Sequence, residues 1–416
     1  MSPAFLIFIM CLGQVFGMMG FFAFPALLPT FISEWSLSNT EAGWINSAFF
    51  MGYMFTVPVL VSLTDRQDPK RIYLASMALT VVSVLGFAFA AQGFWSAMVL
   101  RGLAGIGLAG TYMPGLKALS DLIEGPAQSR AVSFYTSSFG IGSALSFYLS
   151  GKVALWFDWH AAFWVAGSGP MLALLLVWWL LPSVPPHPVE GQGTHLGDFL
   201  KALRNRRAMG YTLAYMVHNF ELFGFRSWLV VFLTVNQALQ PGGSTPLAPA
   251  TFAALLTLLA LPASVSGNEL AVRFGRRKVV CGVMTASALL AWALGFSVDL
   301  PFALVAPLAV LYGITVMADS SPITAGMVGE AEPGLRGTTM AVHACVGFLG
   351  SFLGPLVFGV VLDVAGGRDA MQSWLLSFGT MGVVVALGPL FVLWLNRGER
   401  VLPGPPSPES ASKPTA

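Results

Sequence analysis

Charge is scarce in this sequence. Of its 416 residues only 10% are Asp, Glu, Lys or Arg, while 56% are hydrophobic. With a mean hydropathy of +0.73, the chain has more apolar surface than a water-bounded core can bury. A soluble globular domain is therefore excluded, and lipid is the expected solvent. Cysteine is scarcer still. Cys11, Cys281 and Cys345 stand apart in apolar segments, so neither a disulfide frame nor a metal-ligand pair is indicated. No Lys or Arg precedes Arg66; the first apolar segment thus lacks the basic start of a signal peptide and reads as a membrane helix. Phosphate-cradling glycine loops, paired metal ligands and a nucleophile elbow are all missing from the sequence. Their lack removes the common soluble-enzyme chemistries, and no cofactor is expected. The net charge of +2 arises from cations confined to short loops, so no nucleic-acid partner is expected either.

What is present is a succession of apolar stretches. A membrane-crossing helix needs ~20 apolar residues, and breaks at charge, proline and glycine clusters divide the chain into twelve such stretches. They run over about 4–30, 41–63, 72–91, 94–118, 130–153, 160–181, 208–234, 249–270, 279–297, 301–328, 337–362 and 371–395. An all-α polytopic membrane protein is the expectation. Every second loop is basic: Arg66, Lys70 and Arg71, then Arg130, Arg206 and Arg207, Arg273 to Lys278, Arg336, and finally Arg397 and Arg400. The other side holds little beyond Arg368 and Lys152. Because positive loops stay in the cytoplasm, both termini are expected there, with the protein in the inner membrane.

Between the sixth and seventh stretches, residues 182–207 form a link. Pro182, Pro185, Pro186 and Pro188 forbid a helix at its start. From Thr194 to Arg204, Leu196, Phe199, Leu200 and Leu203 recur at i, i+3, i+4 and i+7 with basic residues opposite. That pattern predicts a helix lying on the anionic inner leaflet. Residues 1–181 and 208–396 then become two six-helix bundles, and 397–416, a Pro/Ser tail, is expected to be disordered and cytoplasmic.

One basic turn, Gly267-Asn268-Glu269-Leu270-Ala271-Val272-Arg273-Phe274-Gly275-Arg276-Arg277-Lys278, separates two long apolar segments. A second copy occurs at Val61-Ser62-Leu63-Thr64-Asp65-Arg66-Gln67-Asp68-Pro69-Lys70-Arg71, with Leu63 and Leu270 lying 207 residues apart. The same offset relates Gln14-Val15-Phe16-Gly17 to Glu221-Leu222-Phe223-Gly224 and Gly140 to Gly347. The chain is one six-helix unit written twice, the sequence form of a transporter with its site between the repeats.

The paired loops resemble the signature Gly-x-Leu-x-Asp-Arg-x-Gly-Arg-Arg of the major facilitator superfamily. The first copy keeps Leu63, Asp65 and Arg66; the second keeps Leu270, Arg273, Gly275, Arg276 and Arg277 but has Val272 in place of the acid. The resemblance covers nearly the whole chain. It implies that the loops change partners during the transport cycle and that helices 1, 4, 7 and 10 line a central cavity. It also draws attention to Arg101-Gly102-Leu103-Ala104-Gly105-Ile106-Gly107, which is similar to the family's helix-4 arginine and glycines. Gly354-Pro355 resembles an antiporter motif, but that motif belongs in helix 5, where this chain has Gly140-Ile141-Gly142 and no proline.

The remaining membrane-embedded ionisable groups are His218, Glu221 and Arg226 in helix 7, Asp319 in helix 10 and His343 in helix 11. Charge in hydrocarbon is costly and marks function by default. In the first repeat, Gln14, Met19, Thr111 and Thr136 stand where Glu221, Arg226, Asp319 and His343 stand in the second. A requirement of the scaffold would be met in both halves, so this asymmetry points to specialised chemistry in the second. Two blander readings remain: a self-neutralising Glu221–Arg226 or His218–Glu221 pair, and an Arg101 that merely bonds backbone carbonyls. Arg101 and Arg226, one per repeat and both in the outer half, are candidates to hold an anion with planar, bidentate guanidinium forks, together with Asp319. Glu221, His218 and His343 are candidates to carry a proton.

The expectation is a monomeric secondary transporter that moves a small organic or inorganic anion by alternating access, coupled to protons. Within the same fold the competing reading is a proton-driven exporter of amphiphilic compounds. A membrane receptor would need a soluble effector region, and an intramembrane enzyme would need clustered nucleophile, base or metal ligands; the sequence offers neither.

Overall fold

The structure is a computed structural model, which describes residues 2–123, 126–183 and 196–395. These residues are almost wholly helical, with no strand among them. The first span is broken into α1 (Pro3–Gly17), α2 (Ala23–Ala26) and α3 (Leu28–Glu34). Then come α4 (Asn39–Leu63), α5 (Pro69–Ala90), α6 (Phe94–Leu122), α7 (Pro126–Trp156) and α8 (Trp159–Leu180). A short α9 (Leu196–Arg204) leads into α10 (Arg206–Leu239), α11 (Pro249–Phe274), α12 (Arg276–Gly295), α13 (Phe302–Ala318) with α14 (Ser320–Glu330), α15 (Arg336–Val364) and α16 (Met371–Leu395). Among the described residues, ten helices are long and apolar enough to cross a membrane, α13 with α14 counting as one. The broken first span and the 31-residue α7 complete the twelve.

Helix starts follow from local chemistry. Ser38 and Glu41 close a capping box on α4, Asp68 caps α5 just ahead of Pro69, and the Asn205 side chain accepts from Ala208 N on α10. Gly275, at φ 93°, makes the sharp corner between α11 and α12 that a side chain would resist. The cap in the first basic loop is therefore Asp68; Asp65 and Arg66 are exposed.

Two expected continuous helices are interrupted. The turn between α1 and α2 leaves backbone groups that neighbouring helices satisfy: Arg101 Nη1 donates to Phe21 O at 3.1 Å, Ser146 Oγ donates to Met19 O at 2.6 Å, and Phe22 N donates to Ser146 Oγ at 2.9 Å. Irregular backbone survives at membrane depth only when protein covers it in this way. The tenth span breaks at Asp319, between α13 and α14.

Helix α10 is the most enclosed candidate span, 72% buried, and packs against α15, α16 and α14. Gly350 lets α15 close on it, since a Cβ there would meet Met216 O at 1.9 Å. The link's α9 leaves Leu200 and Leu203 exposed while burying Ala202, with Lys201 3.1 Å from Asp198. Pro185, Pro186, Pro188, Thr194, His195 and the 397–416 tail lie outside the described residues.

Candidate functional site

The second-half ionisable groups sit together, but not in the pairs that helical spacing offered. The His218 Nδ1 atom lies 2.7 Å from Asp319 Oδ1, with both side chains fully buried. Glu221 turns instead to α12, where Ser287 Oγ donates to its Oε1 at 2.9 Å, and Thr315 Oγ1 donates to Ser287 Oγ at 3.4 Å. The Tyr312 side chain also interacts with the Glu221 carboxyl, and Asp319 lies within electrostatic range of it. His343 Nδ1 stands 3.3 Å from Thr212 Oγ1. Tyr215 ties the cluster together, stacked on His343 with ring centroids 4.2 Å apart and on His218 at 5.7 Å.

Neither self-neutralising pair forms. Among the described residues, Glu221 has no cation within ion-pair distance, and neither Arg226 nor Arg101 has a carboxylate. The break at Asp319 explains the grouping. It turns the carboxylate toward α10, where His218 faces it, while Glu221 lies on the side of α10 that meets α12 and α13. Asp319, expected among the anion ligands, is completely buried beside a histidine.

Arg226 and Arg101 both lie against the turn in the first span. Arg226 is 5% exposed; its guanidinium lies 5.7 Å from the Phe22 ring centroid, and its Nη2 is 3.7 Å from Met317 Sδ. Arg101, 4% exposed, lies 4.6 Å from the Phe49 centroid and 5.7 Å from that of Phe24. Such cation–π seats stabilise a desolvated guanidinium without using its donors. Arg101 does spend one donor on Phe21 O, as the blander reading of that residue had it.

An aromatic plug lies between the halves. Phe223 of α10 meets Phe50 at 4.5 Å and Phe21 at 6.4 Å, while Phe21 packs on Phe49 at 4.9 Å. Tyr53 stacks on Phe348 at 4.0 Å, again across the two halves. Sequence reading missed Ser287, Tyr312, Tyr215, Phe21, Phe50 and Phe223. The loop residues lie elsewhere: Arg273 and Gly275 are exposed, Arg276 reaches Ala325 O at 3.5 Å, and Arg277 engages Tyr211.

Twelve spans written as a repeat, with a buried polar cluster beside the seam, define a polytopic membrane transporter. The chain belongs to the Major Facilitator Superfamily, whose family profile matches residues 10–267 and 243–416. It is 29% identical over 386 residues to the 3-(3-hydroxy-phenyl)propionate transporter of Escherichia coli (strain K12), covering 88% of each chain. To the niacin transporter NiaP of Acinetobacter baylyi it is 22% identical over 322 residues, 70% of this chain and 72% of that one. It also matches spinster proteins, but spans less than half the length of several; for protein spinster homolog 3 of Danio rerio the match covers 43% of that protein, at 27% identity over 212 residues and 49% of this chain. Among solved structures, a bacterial homolog to the human lysosomal transporter spinster shares the fold, with a TM-score of 0.76 at 16% identity over 95% of this chain and 98% of that one. The relatives and the solved structure that carry this likeness are named as transporters.

Proposed function

We propose that this transporter carries a small organic anion, a carboxylate attached to an aromatic ring, across the inner membrane in exchange for or together with protons. The observation that carries the reading is the buried second-half cluster of His218, Asp319 and Glu221. Ionisable groups at membrane depth mark proton or ion pathways, and here a carboxylate held by a serine hydroxyl lies near a buried histidine–carboxylate pair. The first repeat has no such group. Glu221 is the proton carrier in this reading; His218 with Asp319, and His343 behind Tyr215, relay to it.

Arg226, and Arg101 behind it, supply the positive charge that draws the anion. Both keep donors free for a bidentate acceptor, and the phenylalanines around them suit an aromatic ring. They become reachable when Phe223 parts from Phe21 and Phe50. The moving bodies are residues 1–181 and 208–396, joined by 182–207 and acting as a single chain with both termini cytoplasmic. The basic turns, with Asp65, Arg66, Arg273, Gly275, Arg276 and Arg277, change partners as the bodies rock. The names of two relatives support the substrate class, since niacin and 3-(3-hydroxyphenyl)propionate are both ring-bearing carboxylates.

The test is uptake of radiolabelled nicotinate and 3-(3-hydroxyphenyl)propionate by the purified protein in liposomes with an imposed pH gradient. Accumulation that an uncoupler abolishes is the expected result. Transport of neither acid, alongside active counterflow of a neutral amphiphile, would overturn the reading.

A further inference from the structure

Contacts between the two halves are concentrated at one end of the molecule. Among the described residues, the inter-half hydrogen bonds join α4 to α15 near Asn39 and Asp363, at the end remote from the basic turns. Farther in, the seam continues through Tyr53 and Phe348. The molecule is thus closed at the end remote from the basic turns.

The closure centres on one carboxylate. Asp363 Oδ1 accepts from Asn39 N at 3.1 Å and Asn39 Nδ2 at 2.7 Å. Its Oδ2 accepts from Thr40 N at 2.7 Å and Thr40 Oγ1 at 2.6 Å. The first backbone donors of α4 are therefore divided between the two halves. The Glu41 N–H bonds Ser38 Oγ within the capping box, whereas the Asn39 and Thr40 N–H groups depend on Asp363 from the other repeat. On its own helix the acid is misplaced, because Asp363 lies in the last turn of α15, where the helix dipole disfavours negative charge. Parting the halves costs it four hydrogen bonds, two of them to the positive end of α4. Backbones close tightly beside it: a Cβ on Gly359 would lie 2.2 Å from Asn39 O, and Ser47 Oγ donates to Phe352 O at 2.5 Å.

We propose that Asp363 is a positioning residue for transport, a latch that holds the end remote from the basic turns shut in one access state and is released in the other. Its bonds are made only in the closed form, so they set the balance between the two forms; a contact equal in both would shift nothing. The inference goes beyond the substrate reading and stands whatever solute is carried.

The experiment uses the full chain with Cys11, Cys281 and Cys345 replaced by serine and one reporter cysteine, Ser47→Cys. Ser47 is fully buried between α4 and α15, so in purified protein its reaction with N-ethylmaleimide reports opening of this end. Asp363→Ala should speed labelling by about tenfold or more, given the loss of charge-assisted bonds, and Asp363→Asn should fall between the two. Gly359→Ala, which wedges the same contact, should speed it as well. A second reporter, Ser83→Cys, lies buried within the first half and should stay unreactive throughout. Unchanged labelling at Ser47→Cys, or an equal rise at Ser83→Cys, overturns the latch. If Asp363→Ala does not fold, Thr40→Val removes one of the four bonds alone and should give a smaller rise at Ser47→Cys; no rise there counts against the proposal.

Discussion

Glu221 shows how much a repeat can say about a single residue. Its counterpart Gln14 is also buried, at 3% exposure, so the fold accepts an amide of the same length at this depth. Glu221→Gln should therefore reach the membrane folded, with its side-chain oxygen still accepting from Ser287 Oγ. If the carboxyl carries the proton, this variant should bind substrate and exchange it in counterflow, because exchange requires no net proton movement. Accumulation driven by a pH gradient should vanish. Normal gradient-driven uptake would end the role given to Glu221. Deletion of a structural ion-pair partner would look different, as it leaves a bare buried charge and costs about 3–5 kcal/mol; among the described residues Glu221 has no such partner, so loss of folded protein is not expected. The sequence marked Glu221, His218, Asp319 and His343 through the charge asymmetry between the repeats. It did not mark Ser287 or Tyr312, which are ordinary residues inside apolar helices. Their role depends on the rotation of α12 and α13 about their axes, and hydrophobic periodicity is too weak in wholly apolar helices to fix that rotation.

At the scale of elements, the spans were legible because lipid thickness sets their length, and the basic turns because charge punctuates them. The breaks at residues 18–22 and at Asp319 were not. A broken membrane helix keeps its apolar composition; only tertiary partners decide whether the freed backbone groups can be met. Ser146 is such a partner, linking Met19 O and the Phe22 N–H from α7. Ser146→Ala should leave both buried groups unpaired and lower stability by about 1–3 kcal/mol, read as a lower unfolding temperature in detergent. The turn also seats Phe22 against Arg226, so uptake should weaken along with stability. Unchanged stability would show that the turn is held by Arg101 and packing alone. Arg101 itself illustrates a residue whose sequence reading was divided and whose geometry serves both sides, with one donor on Phe21 O and a cation–π seat on Phe49.

At the scale of the whole molecule, the distribution of charge makes a claim about orientation. Arg206 and Arg207 open α10 and are exposed. The same helix runs 34 residues, or about 51 Å at 1.5 Å per residue, and ends near the turn Pro241–Gly243. No helix of that length stays within one leaflet, so its two ends face opposite compartments. The basic turns around Asp68 and Gly275 share the end with Arg207, and positive loops resist translocation. A reporter fused after Arg207 should therefore be cytoplasmic. One inserted at Gly242 should be external, and the site tolerates insertion: the residue has φ 78°, and nothing lies within 4 Å of where a Cβ would stand. The closed end bearing Asp363 then faces outward, and the end carrying the basic turns faces the cytoplasm. Paired fusions of alkaline phosphatase, active only outside, and a fluorescent protein, bright only inside, separate the cases. Phosphatase activity after Arg207 with fluorescence at Gly242 would invert the protein in the membrane and place the Asp363 latch on the cytoplasmic side.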